Sequence, residues 1–328
     1  MYRLLNLAFW TIVRWLLGLR YRVRVTGLDA LRDVKGPTLV MPNHPGYIDP
    51  PLVLANVRLG RPVRPMVYAG TFRNPVLYPM MRFVDALEVP DLADHSQSSQ
   101  ERTRETIDAI VAGLVRGESF LVYPSGRIQR QGREVVGAAR AASEILSRVP
   151  EANVVLVRTE GVWGSMFTFA QTGKLPELGR CMLRAVGWMA ANLLFFAPRR
   201  DVRMTIEVVK REDLPGTERD RLNRFLEEWY NRGGPREPVY VPCHRLFGPR
   251  DFAYPALTGS GLVDCSKVRP ETRKAVNEMV EERLGRTLAE EEALADATLD
   301  VIGLDSLERM DVALAIEDRF GFRSDRVA

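Results

Sequence analysis

Cysteine and histidine are both scarce, at three each in 328 residues. Cys181, Cys243 and Cys265 are odd in number and spaced for neither a disulfide framework nor a metal site. That excludes a stapled secreted scaffold, fits a reducing cytosol, and leaves the thiols as buried or incidental groups. Long apolar runs are missing too. A spanning helix needs about 20 apolar residues. The first candidate, Leu4 to Val13, is ended by Arg14, and Trp15-Leu16-Leu17 only resumes it as far as Arg20. A signal peptide is poorly supported, because no small-residue cleavage site follows. No internal repeat, nucleic-acid motif or basic helix with interleaved aromatics is present, so nucleic acid is not expected as a partner.

What is present is a folded chain with 46% hydrophobic residues, long enough for one large and one small domain. Its net charge of +4 hides an asymmetry. Residues 271–328 hold 8 Lys and Arg against 15 Asp and Glu, a balance of −7. The rest holds 38 against 27, a balance of +11. A basic body suits an anionic membrane surface or phosphate-bearing substrates, and it attracts the acidic tail. Residues 1–20, with Trp10, Trp15 and flanking arginines, read as a helix lying in a membrane interface. The plainer alternative is a helix packed on the domain's own core. A second apolar run, Ala185 to Ala197, is also too short to span; it is core or a second interfacial patch.

Periodicity organises residues 21–231. Tyr21 to Val25 alternates as a half-exposed strand does. Thr38 to Met41 is a short buried run leading into Asn43-His44. Arg102 to Arg116 carries Ile107, Ile110, Val111 and Leu114 on one helical face. Ser119 to Tyr123 predicts a buried strand ending at Pro124-Ser125-Gly126-Arg127. Glu134 to Arg148 is Ala-rich and predicts a helix. Asn153 to Val157 and the alternating Val202, Met204, Ile206 and Val208 predict further strands. Thr217 and Asp220 resemble a capping box for a helix with Leu222, Phe225, Leu226 and Trp229 inward. Strands alternating with helices indicate an α/β domain, a mostly parallel sheet flanked by helices, with active residues just beyond strand ends. Residues 232–268 are rich in Pro and Gly and read as a linker or a loosely wrapped extension.

Two constellations carry chemistry. In Asn43-His44-Pro45-Gly46-Tyr47-Ile48-Asp49, a histidine straight after a buried strand precedes an aspartate by five positions. Moving an acyl group onto an alcohol needs a base for the hydroxyl proton, and histidine titrates in the right range. A neighbouring carboxylate fixes its tautomer and stabilises the imidazolium. Pro45 and Gly46 favour the turn that would fold Asp49 back on the ring. A capping Asp beside a surface His is the plainer alternative. The second constellation is Gly303-Leu304-Asp305-Ser306-Leu307, ahead of a helical stretch made acidic by Glu308, Asp311, Glu317 and Asp318.

Asn43-His44-x4-Asp49 resembles the first motif of the glycerolipid acyltransferase family, which includes 1-acylglycerol-3-phosphate acyltransferases. Val122-Tyr123-Pro124-Ser125-Gly126-Arg127-Ile128 resembles its Pro-Glu-Gly-Arg motif, in the short form of the bacterial 2-acylglycerophosphoethanolamine acyltransferase fused to an acyl-carrier-protein synthetase. Val154 to Val157, continuing into Glu160-Gly161-Val162-Trp163-Gly164, resembles the next element. The likeness covers about residues 20–210. It implies the family's fold, with His44 as general base, Asp49 assisting it and Arg127 on the acceptor's phosphate. Asn43 and a backbone N–H near Gly126 are candidate substrate contacts. The sequence departs from the family at Ser125, where Glu is usual, and at Asp85 to Asp91, where a phosphate-binding arginine is expected. Arg73 or Arg82 is the substitute on offer.

Residues 269–328 resemble an acyl carrier protein, a small all-α domain. Thr272 to Leu284 would be its first helix, a loop with Leu294, Ala295 and Leu299 follows, and Leu307 to Phe320 its next helix. This implies 4′-phosphopantetheine on Ser306, added by a phosphopantetheinyl transferase, and no metal. Asp305 would cap the helix behind it. An Asp-Ser helix cap is the plainer alternative. A whole carrier domain runs on beyond Gly321-Phe322 by another helix and a half, so this one is expected to be truncated, with an acyl-adenylating ligase a possible continuation.

The expected activity is transfer of a fatty acyl group from a carrier thioester, the fused one or another, or from acyl-CoA. The acceptor is a lysophospholipid hydroxyl at the cytoplasmic face of a membrane. The alternative is an inactive acyltransferase fold that anchors a carrier there.

Overall fold

The computed structural model describes residues 2–89, 97–255, 268–289, 299–304 and 306–321. In chain order the larger unit runs α1 (Tyr2–Gly18), β1 (Tyr21–Thr26), β2 (Thr38–Pro42), α2 (Asp49–Asn56), β3 (Arg64–Tyr68), α3 (Ala69–Phe72), α4 (Tyr78–Phe83) and β4 (Leu87–Val89). It continues α5 (Gln97–Val115), β5 (Ser119–Leu121), α6 (Ala141–Arg148), β6 (Asn153–Glu160), α7 (Leu178–Ala191), β7 (Arg200–Val209) and α8 (Arg219–Tyr230). Three helices follow: α9 (Pro270–Leu284), α10 (Leu299–Ile302) and α11 (Ser306–Phe320).

The seven strands form one sheet in the order β1-β7-β6-β2-β5-β3-β4. Every pairing is parallel except β6 with β7. β2 lies in the middle and is buried on both faces, as a central parallel strand covered by helices must be. Its side chains alternate between two cores. Leu39 and Met41 join Ile110, Leu114, Ile145, Leu146 and Trp229, under α5, α6 and α8. Val40 joins Leu52, Val53 and Val155, with Trp10 and Leu17 of α1 against that layer. Truncating a fully buried Leu such as Leu39 costs about 2–5 kcal/mol.

Because β7 runs against β6, Glu160 faces Arg203, and Tyr21 pairs with Arg200. The starts of β1 and β7 therefore lie at the same end of the sheet as the ends of β2, β5 and β6. The turns after α1 and before β7 meet there, where the Arg20 guanidinium donates to the Pro198 carbonyl.

Two expectations change. The helix read from Glu134 begins only at Ala141. Side chains of α8 have captured the backbone ahead of it: Asn231 Oδ1 accepts the Glu134 N–H at 2.9 Å, and Glu227 Oε1 accepts those of Val136 and Gly137 at 2.7 Å. The capping box at Thr217 is not made; Glu218 takes the cap position of α8 without a side-chain hydrogen bond. The Pro/Gly-rich stretch, as far as Pro255, is a strap on the sheet end. Arg236 N–H donates to Gly132 O at 2.7 Å, Val239 N–H to Trp163 O at 3.1 Å, and Tyr254 Oη to Gly164 O at 2.6 Å.

In the smaller unit, Val280, Ile302, Leu304 and Val312 form a separate core. Leu294 and Ala295 of the expected loop, together with Asp305, lie outside the described residues.

Candidate active site

β2 hands the chain to the site. Asn43 is buried at its end, with both ends of its amide on Thr159 of β6: Oδ1 accepts the Thr159 N–H at 2.7 Å and Nδ2 donates to its carbonyl at 3.2 Å. Asn43 thus braces two strands under the histidine and is not a substrate contact. The next residue, His44, points out of the sheet with 14% of its side chain exposed.

Gly46 lets the following turn lie flat. A Cβ there would come within 2.6 Å of the Phe167 carbonyl, and Tyr47 N–H donates to the same carbonyl at 3.0 Å. The turn delivers Asp49, wholly buried, to the imidazole: His44 Nδ1 lies 2.9 Å from Asp49 Oδ1, which also accepts the Gly46 N–H at 3.3 Å. With the proton on Nδ1, the other ring nitrogen, Nε2, is the lone-pair base. The Tyr123 ring stacks on His44 at 4.0 Å between centroids. Burial alone would depress the His44 pKa; the charge and hydrogen bond of Asp49, with the charge of Glu134, outweigh it and raise it above 6.5. Burial and the Asp49 carboxylate push the Tyr123 phenol well above 10.

Glu134 was not a candidate from sequence. Its Oε2 accepts the His44 backbone N–H at 2.9 Å, while its Oε1 is buried without a hydrogen bond. Burial dominates its titration, opposed by the nearby Ser125 hydroxyl and the His44 backbone N–H, and pushes its pKa up to about 7. The only hint in the sequence is the run Glu134-Val135-Val136-Gly137, whose β-branched pair and glycine disfavour a helix.

The loop after β5 is tied to the same place, because Gln129 N–H donates to the His44 carbonyl at 2.8 Å. The loop carrying half-buried Arg127, two residues earlier, is thereby fastened to the end of β2. Ser125 Oγ donates to the Arg127 carbonyl at 3.0 Å. The Gly126 N–H is committed to the Tyr123 carbonyl at 3.0 Å, so it is not offered to substrate; the residue's contribution is a turn with φ of 62°. Arg73 is exposed at the end of α3, beyond β3, and so two strands from β2. Among the described residues no group of three or more His, Cys, Asp or Glu is placed to hold a metal ion.

Around this sheet end lie apolar surfaces and arginines. α1 exposes Leu4, Leu5, Leu7, Ile12, Trp15 and Leu16. After α7, Leu193 and Leu194 have φ of 49° and 63°, and Phe195 and Phe196 are 60% and 56% exposed. Left-handed backbone at two leucines costs about 1–3 kcal/mol each. Asn192 pins this tip to the strap through Cys243 O and Arg245 N. Arg22, Arg199, Arg245 and Arg250 line a cleft with the two phenylalanines, and Arg14, Arg58 and Arg199 line a second with Trp15. No described helix is long and apolar enough to cross a membrane.

A paired histidine and aspartate stand just beyond the central strand of a mostly parallel sheet, and residues 22–161 match the Acyltransferase family model. Residues 274–325 match the model of the phosphopantetheine attachment site. The chain thus joins an acyltransferase domain to a phosphopantetheine carrier domain. No curated protein matches it. Among solved structures, the 1-acyl-sn-glycerophosphate (LPA) acyltransferase PlsC from Thermotoga maritima is similar at 16% identity and a TM-score of 0.46, over 70% of this chain and 77% of that one.

The carrier part fits its group. Ser306 is the first residue of a 15-residue helix, after buried Leu304 and after Gly303 at φ of 109°, where the helix dipole favours a phosphate.

Proposed function

We propose that this protein transfers a fatty acyl group from a thioester on its own Ser306 to the hydroxyl of a lysophospholipid, at the cytoplasmic surface of a membrane. The observation that carries the reading is the 2.9 Å contact between His44 Nδ1 and Asp49 Oδ1. It leaves Nε2 to take the acceptor's hydroxyl proton as the oxygen attacks the acyl carbon. Asp49 then stabilises the imidazolium, and the proton returns to the leaving thiolate. Glu134, on the His44 backbone, keeps the ring at that address.

Arg127 holds the acceptor's phosphate through paired N–H donors. Arg73, two strands away, is a weaker candidate for the same anion. The phosphopantetheine arm on Ser306, when installed, supplies the thioester.

The membrane reading rests on the shared sheet end. α1 and the strained Leu193–Phe196 tip present apolar side chains there, among arginines suited to lipid phosphates. A partly inserted enzyme meets a lysophospholipid without extracting it from the bilayer.

The test compares wild type and His44→Ala in acyl incorporation into a lysophospholipid, with either the loaded carrier or acyl-CoA as donor. The expected result is a loss of at least about 10²-fold with both donors. Unchanged incorporation in the variant removes His44 from the chemistry. Use of acyl-CoA but never of the loaded carrier removes the fused donor.

A further inference from the structure

The two units meet through charge. Glu308 stands two residues after Ser306 in α11. Its Oε1 lies 2.6 Å from Arg140 Nη2 at the start of α6, and its Oε2 3.6 Å from Arg219 Nη1 at the start of α8. Its side chain is 23% exposed and Arg219's 28%, while Arg140's is 46% exposed, so only the Arg219 side of the contact is partly shielded from solvent and salt. Arg140 and Arg219 come from separate helices, which Asn223 ties together: its Nδ2 donates to Gly137 O at 2.7 Å and to Ala139 O at 2.8 Å. The catalytic unit therefore offers a fixed pair of cations to one carboxylate of the carrier.

We propose that Arg140 and Arg219 are the docking site for the fused carrier domain, gripping Glu308 and so holding Ser306 against the acyltransferase flank. This rests on the fused carrier being the acyl donor. The opposite balances of the two parts, +11 and −7, favour the encounter.

The position suits the task. Arg140 follows by six residues Glu134, which touches His44, so the Cα atoms of Arg140 and Glu134 are at most about 22 Å apart along the chain, and the turn at Gly137–Ala138 shortens that. An arm with the backbone length of about five residues reaches roughly 17 Å. One carboxylate between two arginines is a weak grip by itself, worth on the order of 1 kcal/mol when exposed. Weakness is useful here, because the carrier must leave to be recharged. Tethering supplies the concentration, and the ion pair supplies the register.

The first test needs no loaded arm. In full-length protein carrying Ser306→Ala, Arg140→Lys or Arg219→Lys is added and the protein treated with a carbodiimide, which joins a carboxylate to a touching amine with loss of water. Peptide mass spectrometry at high dilution should find the new amine linked mainly to Glu308, and the link lost in Glu308→Gln. Links spread evenly over carrier carboxylates such as Glu278 and Asp318 overturn the docking site. The second test measures single-turnover transfer from the loaded chain. Arg140→Glu with Arg219→Glu should slow it at least fivefold while transfer from soluble acyl-CoA is unchanged, and adding Glu308→Arg should restore it. Unslowed transfer in the double variant overturns the docking site but leaves the fused donor intact. No transfer from Ser306 in wild type, with the cross-link present, overturns the fused donor instead.

Discussion

Glu134 follows His44 by 90 residues, yet its Oε2 accepts the His44 backbone N–H at 2.9 Å. The carboxyl is 3% exposed, and three elements hold it: the end of β2, the segment before α6, and Asn231 after α8, whose Nδ2 donates to the Glu134 carbonyl. A buried acid one bond from the catalytic loop makes the site sensitive to pH in two separate ways.

The first concerns stability. The folded pKa of Glu134, about 7, stands above its ordinary 4.5, so the folded state holds a proton the unfolded state has released. Stability must fall as pH rises through that window, by on the order of 3 kcal/mol from this group. His44 acts in the same direction: its raised pKa stabilises the fold below 6.5 and is lost as pH climbs through the folded value. Glu134→Gln keeps an acceptor for His44 N–H but cannot ionise. Denaturant unfolding at pH 5 and pH 8 should show the variant gaining on wild type at the higher pH; parallel pH dependences would refute the assignment.

In the proposed mechanism the rate responds to the histidine. Nε2 works only when the ring is neutral, so the rising limb of kcat/KM has its midpoint above 6.5. In Asp49→Asn the charge and hydrogen bond of Asp49, the larger contributions that raise the pKa, go while burial and Glu134 remain, so the limb moves to lower pH. The plateau falls by about 10⁴ as the ring loses its tautomer lock. A pH–rate profile of both proteins checks shift and drop together. A limb that stays in place would mean that some other group titrates.

The proposed membrane attachment predicts a role for the α7 tip. Phe195→Ala with Phe196→Ala removes two exposed rings, each worth about 1.5–3 kcal/mol when buried. Binding to vesicles of phosphatidylglycerol and phosphatidylethanolamine should weaken at least tenfold, with kcat on detergent-dispersed lysophospholipid unchanged. Equal sedimentation of variant and wild type with the vesicles would leave α1 as the sole anchor.

A guanidinium fork and an ammonium separate the roles open to Arg127. Arg127→Lys keeps the charge but not the paired donors, so KM for a phosphate-bearing acceptor should rise about tenfold with kcat little changed. Equal kinetic constants would take the phosphate away from Arg127.

How much of this could be read in advance follows from where the determinants lie. Thr38 to Met41 and Val154 to Val157 are short β-branched and aliphatic runs, and they became the central strands because local pattern and tertiary burial agree. The His44/Asp49 pair was legible because the turn joining its members is local, with Pro45 and Gly46 shaping it. Glu134 was not legible. The backbone from 134 to 137 avoids the helix its alanine-rich neighbours favour, because Glu227 and Asn231, some ninety residues away, take its N–H groups. Asn43 misled for a related reason: an amide beside a catalytic histidine looks like a substrate contact until its partner Thr159 is in view.

The strap ending at Pro255 changes what counts as the leash. Ion pairing of Arg236 with Glu160 and the Tyr254 bond to Gly164 fasten it beside the loop that also seats Tyr47. The last described anchor before the carrier therefore lies beside the candidate active site and not at the far end of α8. Fifteen residue steps separate Pro255 from Pro270, which caps the excursion of α9 at about 50 Å. Cutting the strap's anchors would lengthen that radius without adding a single residue.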